Sequence, residues 1–379
     1  MTLQVFRPKF DIDGCIKEIN ECLEKGWTGM GYKTVQFEEL WRDYTGLANA
    51  YFVNSETAAL NLAFDILKSE KGWKDQDEVI TTPLTFVSTN HAISRANLHA
   101  VFADIDESLC LSPESVSERI TEKTRAVCFV GMGGNTGRYK DIVKICKEKS
   151  LCLILDAAHM AGTRLDGVIP GQEADVVCYS FQAVKNLPTG DSGMVCFKEK
   201  SYDNIARQRA WLGINKDTYA RMNNGNYKWK YDVNYIGNKY NGNALMAAVA
   251  IAQFPHLEEG NRYRRKIAEL YRGELEKIEG IKFVKRFDNC SSAQHLFQIL
   301  IENRDELILY LNENGIFPGV HYTVNTEYPM YLYGKNTCPY AEWVSDHVLS
   351  LPVHLEVTAE DIKNVCKKIE EFQKKNRRC

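Results

Sequence analysis

The chain has 379 residues, of which 44% are hydrophobic and 26% charged, with a formal net charge of -3. This length and composition are typical of a globular protein with two domains, or with one large domain and a smaller appendage. The slightly negative net charge argues against nucleic-acid binding. The single basic cluster, Lys374 to Arg378, is more typical of a solvated helix end than of a nucleic-acid site.

The twelve cysteines are scattered, with no CxxC pair and no zinc-type spacing of cysteine and histidine. Cys128, Cys152, Cys178 and Cys196 lie in apolar runs, where a reduced cysteine behaves as a small hydrophobic residue. Reduced cysteines indicate the cytosol. The first eleven residues lack a signal-peptide core, and no apolar run reaches membrane-spanning length. We therefore expect a cytosolic, soluble protein without membrane or metal partners.

The predicted elements alternate between helices and short apolar strands. The first helix, over 12–25, carries Ile16, Ile19, Cys22 and Leu23 on one face. Such alternation predicts an α/β fold, with a mostly parallel sheet covered by helices on both faces. Further helices are predicted over 35–44, 54–68, 85–96 and 139–149, and strands over 50–53, 79–81, 100–103, 126–130, 151–155, 174–178 and 194–197.

The second half of the chain predicts a smaller α+β unit. Residues 199–240 are polar and are expected to be irregular. The elements that follow are a long helix over 242–277 that breaks near Pro255, strands near 281–284 and 296–301, a helix over 304–314 and a closing helix over 360–374. We therefore expect an N-terminal segment (1–25), a large domain (26–242), and an interdomain helix with a small C-terminal domain (243–379).

Four candidate site residues directly follow predicted strands: Ser55, Phe86, Asp156 and Ser180. Ligands of parallel sheets bind in the crevice at the C-terminal ends of the strands. The coincidence of four such positions therefore predicts one binding site.

The sequence Asn54-Ser55-Glu56-Thr57-Ala58 joins a strand to the start of a helix. Free backbone N–H groups, the helix dipole and two hydroxyls make this a candidate anion site. Plain N-capping explains the same pattern equally well. Glu56 is unfavourable for a phosphate unless its side chain points away.

Asp156 ends a five-residue apolar strand, so we expect a partly buried carboxylate that needs a cationic partner. A protonated pyridine nitrogen would serve. An ordinary helix N-cap is an equally good interpretation, because Ala157 and Ala158 follow. His159 is as consistent with capping or packing as with ligand contact.

Lys185 lies between two apolar strands, in a segment with several hydroxyls and two glycines. A desolvated lysine has a lowered pKa and becomes an amine nucleophile suited to Schiff-base chemistry. Taken alone, this lysine is better explained as a snorkelling side chain in a loop.

Together these stretches resemble the nucleotide-sugar (DegT-type) aminotransferases, which are fold-type I enzymes that use pyridoxal 5'-phosphate (PLP). The resemblance covers nearly the whole chain and implies a mostly parallel sheet of the seven-stranded type between helices, with a smaller α+β C-terminal domain. Residues 237–241 are similar to the branch that makes UDP-4-amino-4-deoxy-L-arabinose. The matching motifs are at 26–31, 54–60, 85–89, 156–159, 180–187, 237–241, 321–322 and 349–352.

The resemblance implies roles for individual residues. Lys185 would bind PLP covalently and act as general acid and base, while Asp156 would keep the pyridine nitrogen protonated. Phe86 would stack on the ring. The other cofactor residues it implies are Ser55, Glu56, Thr57, Ala58, His159 and Ser180.

The resemblance also implies a homodimer with shared active sites, because Lys239 and Asn241 would complete the cofactor site of the neighbouring subunit. The implied reaction moves an amino group from glutamate or glutamine to a keto-sugar, in particular a nucleotide-linked 4-keto-6-deoxyhexose. The candidate substrate residues are Trp27, Thr28, His321 and Tyr322.

Departures from the family pattern keep other acceptors open. Gly131-Met132-Gly133-Gly134 stands where the family usually places a polar residue, and the usual proline does not follow His321-Tyr322. The same chemistry on a keto-inositol, a phosphorylated keto-sugar or a small phosphorylated ketone is the alternative. A non-catalytic PLP-binding regulator is a third. Lys185 argues against relatives that dehydrate sugars, in which histidine replaces this lysine.

Overall fold

The structure, a computed structural model, describes residues 2–215 and 231–376. Its α-helices are α1 Ile12–Glu24, α2 Tyr32–Thr45, α3 Glu56–Lys71, α4 Ser88–Arg95, α5 Pro113–Glu118, α6 Tyr139–Glu148, α7 Lys200–Arg209, α8 Ala244–Gln253, α9 Leu257–Leu275, α10 Arg304–Glu313, α11 Pro339–His347 and α12 Ala359–Asn376. Its strands are β1 Leu3–Gln4, β2 Tyr51–Val53, β3 Glu78–Thr81, β4 His99–Phe102, β5 Thr124–Val130, β6 Cys152–Asp156, β7 Arg164–Leu165, β8 Val176–Ser180, β9 Gly193–Phe197, β10 Ile281–Phe283, β11 Cys290–Ser291, β12 Phe297–Ile301, β13 Ile316–Phe317 and β14 Val348–Leu351.

The main sheet has seven strands in the order β2-β9-β8-β6-β5-β3-β4. Strand β9 pairs antiparallel with both of its neighbours, and the other pairings are parallel. Strands β5, β6, β8 and β9 are almost entirely buried, which explains their continuous apolar sequences. The predicted α/β fold with a mostly parallel seven-stranded sheet is confirmed.

A second hydrophobic core lies in the C-terminal part of the chain. The antiparallel sheet β10-β12-β14 packs with α9, α10 and α12 around Tyr271, Ile299, Leu311 and Ile369. Strand β1 pairs with β13, so the N-terminal segment joins this part of the molecule. The domain boundaries remain a prediction. In the described part of the chain, no helix is both long and apolar enough to cross a membrane.

The break expected near Pro255 is confirmed, since α8 ends at Gln253 and α9 begins after one 3-10 turn. The prediction that residues 199–240 are irregular was wrong for α7. This helix is polar overall, but it buries Ile205 and Ala206, and its Asp203 accepts charged hydrogen bonds. Residues 216–230 of that stretch lie outside the described residues.

The predicted apolar face of α1 is only partly covered in the single chain. Helix α1 packs on α8 through Cys22, with Ile19 against it, whereas Ile16 and Leu23 are exposed. Spacing in the sequence indicated an apolar stripe, but the packing angle of α8 decides which part of it is covered.

Glu38 joins α2 to β2 and α7. Its Oε1 accepts the backbone N–H of Phe52 at 3.0 Å, and its Oε2 pairs with Arg207 Nη1 at 2.9 Å. Arg207 also donates to the fully buried Asp203. Removing Glu38 therefore leaves the buried N–H of Phe52 without its acceptor and takes away one of the two carboxylates that pair with Arg207.

We expect Glu38→Ala to lower the free energy of unfolding by about 2–3 kcal/mol, less than for a fully buried pair because Arg207 is partly exposed. Urea unfolding followed by circular dichroism measures this change. Glu39→Ala, at the exposed neighbouring position, is the control and should change stability by less than about 0.5 kcal/mol. Equal effects of the two substitutions would contradict the role assigned to Glu38.

Candidate active site

A cavity of about 380 Å³ lies where the C-terminal ends of β6 and β8 meet the N-terminus of α3. Strands β6 and β8 are adjacent and parallel, so Asp156 and Ser180 end at the same edge of the sheet. The cavity brings together ten of the residues predicted from the sequence: Ser55, Glu56, Thr57, Phe86, Asp156, His159, Ser180, Lys185, His321 and Tyr322.

Asp156 is 3% exposed. Its Oδ2 accepts a hydrogen bond from the Thr89 hydroxyl at 2.7 Å, and its Oδ1 accepts the backbone N–H of Ala158 at 3.2 Å. In the described ranges no basic side chain lies within ion-pair distance of it. A carboxylate held this way is fixed in direction and lacks a cation, so the cavity is built to receive one.

Lys185 lies in the segment that connects β8 to the reversed strand β9. Backbone hydrogen bonds from Lys185 to Gln182 and from Ala183 to Gly190 hold this segment in place. Burial lowers the pKa of the Lys185 ammonium, and the carboxyl groups of Glu56 and Asp156 oppose that effect. The net lowering makes the neutral amine, which is the nucleophilic form, more accessible.

Glu56 is the first residue of α3 and points into the molecule rather than away from the site. It is buried, and its Oε1 has no hydrogen-bond partner among the described residues. Burial, followed by the neighbouring Asp156, raises the pKa of Glu56 well above its usual range. The raised pKa favours the neutral, protonated form of this carboxyl group, which reduces its repulsion toward a phosphate.

The N-terminus of α3 forms the end of the cavity that is suited to binding an anion. Ser55 is the N-cap, and its Oγ accepts the N–H of Ala58 at 3.1 Å. That N–H is therefore already bonded, and Ala58 does not line the cavity. Thr57 is exposed and, with Ser55 and Ser180, brings three hydroxyls to this end.

The contacts of His159 determine where its proton lies. Its Nδ1 accepts the backbone N–H of Gly133 at 3.2 Å, and its Nε2 lies 3.2 Å from the hydroxyl of Tyr322. Burial, followed by the charge of Lys185, lowers the pKa of His159 well below its usual range. The neutral ring thus carries its hydrogen on Nε2 and donates to Tyr322, whose own O–H is left to donate to another group.

The lining residues that were not predicted as site residues include Phe6, Thr89 as the partner of Asp156, and His295. His295 Nδ1 lies 3.0 Å from Asn186 Oδ1, and the Phe6 ring stacks on it. Thr89 belongs to the 85–89 motif, but no motif marks Phe6 or His295, because they come from distant parts of the chain and meet only in the folded protein.

The Gly131–Gly134 run is explained by close packing. A Cβ on Gly131 would lie 2.0 Å from Met160 Sδ, and one on Gly134 would lie 2.9 Å from Ser292 Oγ. Gly133 and Gly134 both have positive φ, and the turn brings the Gly133 N–H to His159. The run therefore has a structural role, whatever the acceptor.

The other predicted site residues lie outside this cavity in a single chain. Trp27 donates to the carbonyl of Met30, and Thr28 is exposed. Lys239 is exposed, with Nζ 3.1 Å from the centre of the Trp211 ring, and Asn241 Nδ2 donates to the Gly242 carbonyl. Their assigned roles stay predictions.

Residues 11–370 match the DegT/DnrJ/EryC1/StrS aminotransferase family, which covers almost the whole chain. The chain belongs to this family. Enzymes of the family are PLP-dependent aminotransferases.

Individual relatives are similar over nearly their full length. The spore coat polysaccharide biosynthesis protein SpsC of Bacillus subtilis is 32% identical, over 95% of this chain and 94% of SpsC. The aminotransferase TlmJ of Streptoalloteichus hindustanus is 27% identical, with a TM-score of 0.89, over 97% of this chain and 98% of TlmJ. Spr1654 of Streptococcus pneumoniae, solved in a PLP form, has the same fold at 22% identity, with a TM-score of 0.90 over 99% of each chain.

The cavity of this family member fits PLP in its donor set. It offers an amine of lowered pKa in Lys185 and a buried carboxylate without a cation in Asp156. It also offers a helix N-terminus with hydroxyls at Ser55 and Thr57. The amine suits the aldehyde of PLP, and the carboxylate suits a protonated ring nitrogen. The helix N-terminus with its hydroxyls suits the phosphate.

We expect Tyr322→Phe to lower the free energy of unfolding by about 1–2 kcal/mol, because it leaves the Nε2–H of the buried His159 without an acceptor. Denaturant unfolding of the PLP-free protein measures this. Tyr328→Phe, which removes a hydroxyl from an exposed ring, is the matched control. If both substitutions had the same effect, the hydrogen assignment on His159 would be wrong.

Proposed function

We propose that this aminotransferase moves an amino group from glutamate or glutamine to a keto-sugar, with Lys185 as the residue that reacts and carries protons. The observation that supports this most directly is that Lys185 and Asp156 line the same cavity as the N-terminus of α3. A regulator without catalysis would not require an amine of lowered pKa beside a buried carboxylate.

Bound PLP supplies an aldehyde that condenses with amines and a protonated ring that accepts electrons from the carbon being deprotonated. We assign the ring nitrogen to Asp156, which Thr89 holds in position. We assign the ring face to Phe86, which lines the cavity with its ring centre 5.9 Å from that of Tyr322.

The phosphate is assigned to the N-terminus of α3. Ser55, Thr57 and Ser180 would donate their hydroxyls there, and the positive end of the helix dipole favours the dianion. Glu56 is tolerated because its raised pKa keeps it protonated. Ala58 would act by anchoring the Ser55 side chain through its N–H rather than by direct contact.

Proton movement is assigned to Lys185, whose lowered pKa lets the amine accept a proton from substrate carbon and return it at the neighbouring position. His159 remains neutral and does not compete for that proton. Its hydrogen bond aims the hydroxyl of Tyr322 so that this hydroxyl can donate to an oxygen in the cavity.

A keto-sugar is favoured as the acceptor by the relatives, one of which is named for polysaccharide biosynthesis. We propose a nucleotide-linked 4-keto-6-deoxyhexose. His321 and Tyr322 are the substrate-side residues that line the cavity. The packing role of Gly131–Gly134 removes the reason to prefer a ketone without a nucleotide.

We also propose a homodimer in which Lys239 and Asn241 complete the partner's cofactor site. Both lie outside the cavity of their own chain, and Asn241 Oδ1 is buried without a hydrogen-bond partner in the described residues. The exposed Ile12, Ile16 and Leu23 of α1 offer apolar surface for such an association. The unpaired cysteines of the described residues favour the cytosol.

We expect borohydride reduction of the PLP-loaded protein to attach the cofactor to Lys185, since that amine has the lowered pKa and lines the cavity. Peptide mass spectrometry identifies the modified residue. Lys185→Ala should lose both attachment and amino transfer, whereas Lys198→Ala, at an exposed lysine, should keep both.

The reaction itself is followed by absorbance. Glutamate or glutamine should convert the cofactor to its pyridoxamine form, and the correct keto-sugar should convert it back. No conversion with any amino donor would contradict the catalytic proposal. If only ketones that lack a nucleotide restore the PLP form of the cofactor, the proposed nucleotide-linked acceptor is wrong.

The shared site can be tested with mixed dimers. Lys185→Ala and Lys239→Ala chains should each be poorly active alone, but a mixed dimer contains one site with both lysines intact. Random mixing should therefore restore about a quarter of the wild-type activity, because half of the dimers are mixed and each has one intact site. Activity no higher than the average of the two separate variants would contradict a site shared between subunits.

A further inference from the structure

A second cavity, of about 480 Å³, lies beside the active-site cavity; we call it the side chamber. The two cavities share Phe6, Val184, Lys185 and His295. The other walls come from residues 7–11, from the start of α9 and from residues 353–355 after β14. A molecule in the side chamber therefore lies against the reactive lysine.

Arg264 lines the side chamber without an acidic partner in the described chain. Within the described residues, its hydrogen bond is from Nη1 to Asn261 Oδ1, at 3.3 Å. Burial lowers the pKa of Arg264 to about 10, so the guanidinium stays charged at neutral pH. Gly260 leaves space beside it, because a Cβ there would lie 3.1 Å from Nη1. Arg264 is half-buried, and its remaining N–H donors have no acidic partner among the described residues, so this cation favours the arrival of an anion.

The neighbouring groups do not neutralise Arg264. His295 and His354 also line the side chamber, and burial lowers the pKa of both rings below the usual range, so they stay neutral. His354 Nε2 is buried without a hydrogen-bond partner in the described residues. This inner part of the chamber thus offers one uncompensated positive charge and imidazole groups.

The rim of the side chamber carries charges of both signs. Arg7 pairs with Glu356, and Asp11 pairs with His256. Lys9, and Glu259 on α9, are exposed and of opposite sign. Because the rim charges are balanced and screened by solvent, Arg264 determines the sign of ligand that the chamber prefers.

Hydrogen bonds connect Arg264 to the active-site cavity. Asn261 Oδ1 accepts from Arg264 and also from Asn186 Nδ2, at 2.7 Å. Asn186 follows Lys185 in the chain, and its Oδ1 accepts from His295 Nδ1. The guanidinium is therefore held by the same residues that frame the reactive lysine.

We propose that the side chamber is an anion subsite in which Arg264 binds a carboxylate or phosphate group of a substrate while that substrate's reacting end lies at Lys185. This rests on the proposed function, because the anion belongs either to the dicarboxylate amino donor or to the nucleotide-linked acceptor. The planar fork of an arginine matches both anions through paired N–H···O bonds.

The test measures equilibrium binding to the PLP-loaded protein rather than turnover. Glutarate, which has two carboxylates but neither an amino nor a keto group, and uridine monophosphate are titrated by calorimetry at constant ionic strength. Arg264→Gln should weaken binding of at least one of them by tenfold or more. Arg262→Gln, on the exposed face of the same helix, should leave binding unchanged.

The two probes distinguish the sources of the anion. Loss of glutarate binding alone assigns the subsite to the amino donor, and loss of uridine monophosphate binding alone assigns it to the acceptor. Wild-type protein that binds neither probe, or binding that is equal in wild type and Arg264→Gln, overturns the proposal.

A second variant covers a failure of Arg264→Gln to fold. Arg264→Lys keeps the charge but loses the fork, so binding should fall severalfold, and unchanged binding would overturn a site built on the guanidinium. Failure of the two proposals is distinguishable. Unchanged binding with normal amino transfer rejects the subsite alone, whereas Arg264-dependent binding without transfer at Lys185 rejects the function alone.

Discussion

The active-site cavity depends on a buried carboxylate that has no cationic partner among the residues that the structure describes. Asp156 sits at the end of β6 because the strand before it is apolar and completely buried. The Thr89 hydroxyl and the Ala158 N–H fix its direction. Each of these bonds stabilises the negative form, yet none removes the charge, so the free energy of burial is recovered only when a cation binds. The rest of the cavity is arranged around that requirement.

The charge of the cavity is limited because its histidines stay neutral. Burial lowers the pKa of His159 and His295 well below the usual range and that of His321 to about 4. Nearby groups then decide which nitrogen of each ring carries hydrogen. The Gly133 N–H directs the ring of His159, and the side-chain amide oxygen of Asn186 directs the ring of His295. Fixed dipoles therefore surround Lys185, and proton exchange at neutral pH is left to the lysine itself.

The sequence was informative where a motif is local. The alternation of apolar strands and helices predicted the sheet. The positions after strand ends predicted four of the residues that line the cavity, because parallel strands place their C-terminal ends at one edge. The Ser55 N-cap and the break at Pro255 have signals within a few residues. The partial burial of α1 depends on how α8 packs against it, which no local pattern determines.

Contacts between distant segments could not be predicted either, because no local sequence pattern determines them. Phe6 and His295 are separated by most of the chain, and neither occurs in a recognisable motif. The sequence could not predict which way the Glu56 side chain points, since its surroundings include Asp156 at the end of β6. Sequence reasoning also could not explain Gly131–Gly134, because the atoms that exclude a Cβ belong to residues such as Met160 and Ser292.

An enzyme that takes an amino group from one molecule and gives it to another must recognise two different substrates at one reacting lysine. A single cavity shaped for both would have to satisfy the proposed dicarboxylate donor and the proposed keto-sugar acceptor with the same hydrogen-bond donors. Here Lys185 forms part of the wall of two cavities, and the polar groups that surround these cavities differ. The active-site cavity contains carboxyl groups at Asp156 and Glu56, whereas the side chamber contains the guanidinium of Arg264, which has no acidic partner in residues 2–215 and 231–376. Opposite electrostatics on two sides of one amine allow the two substrates to be distinguished without moving the lysine.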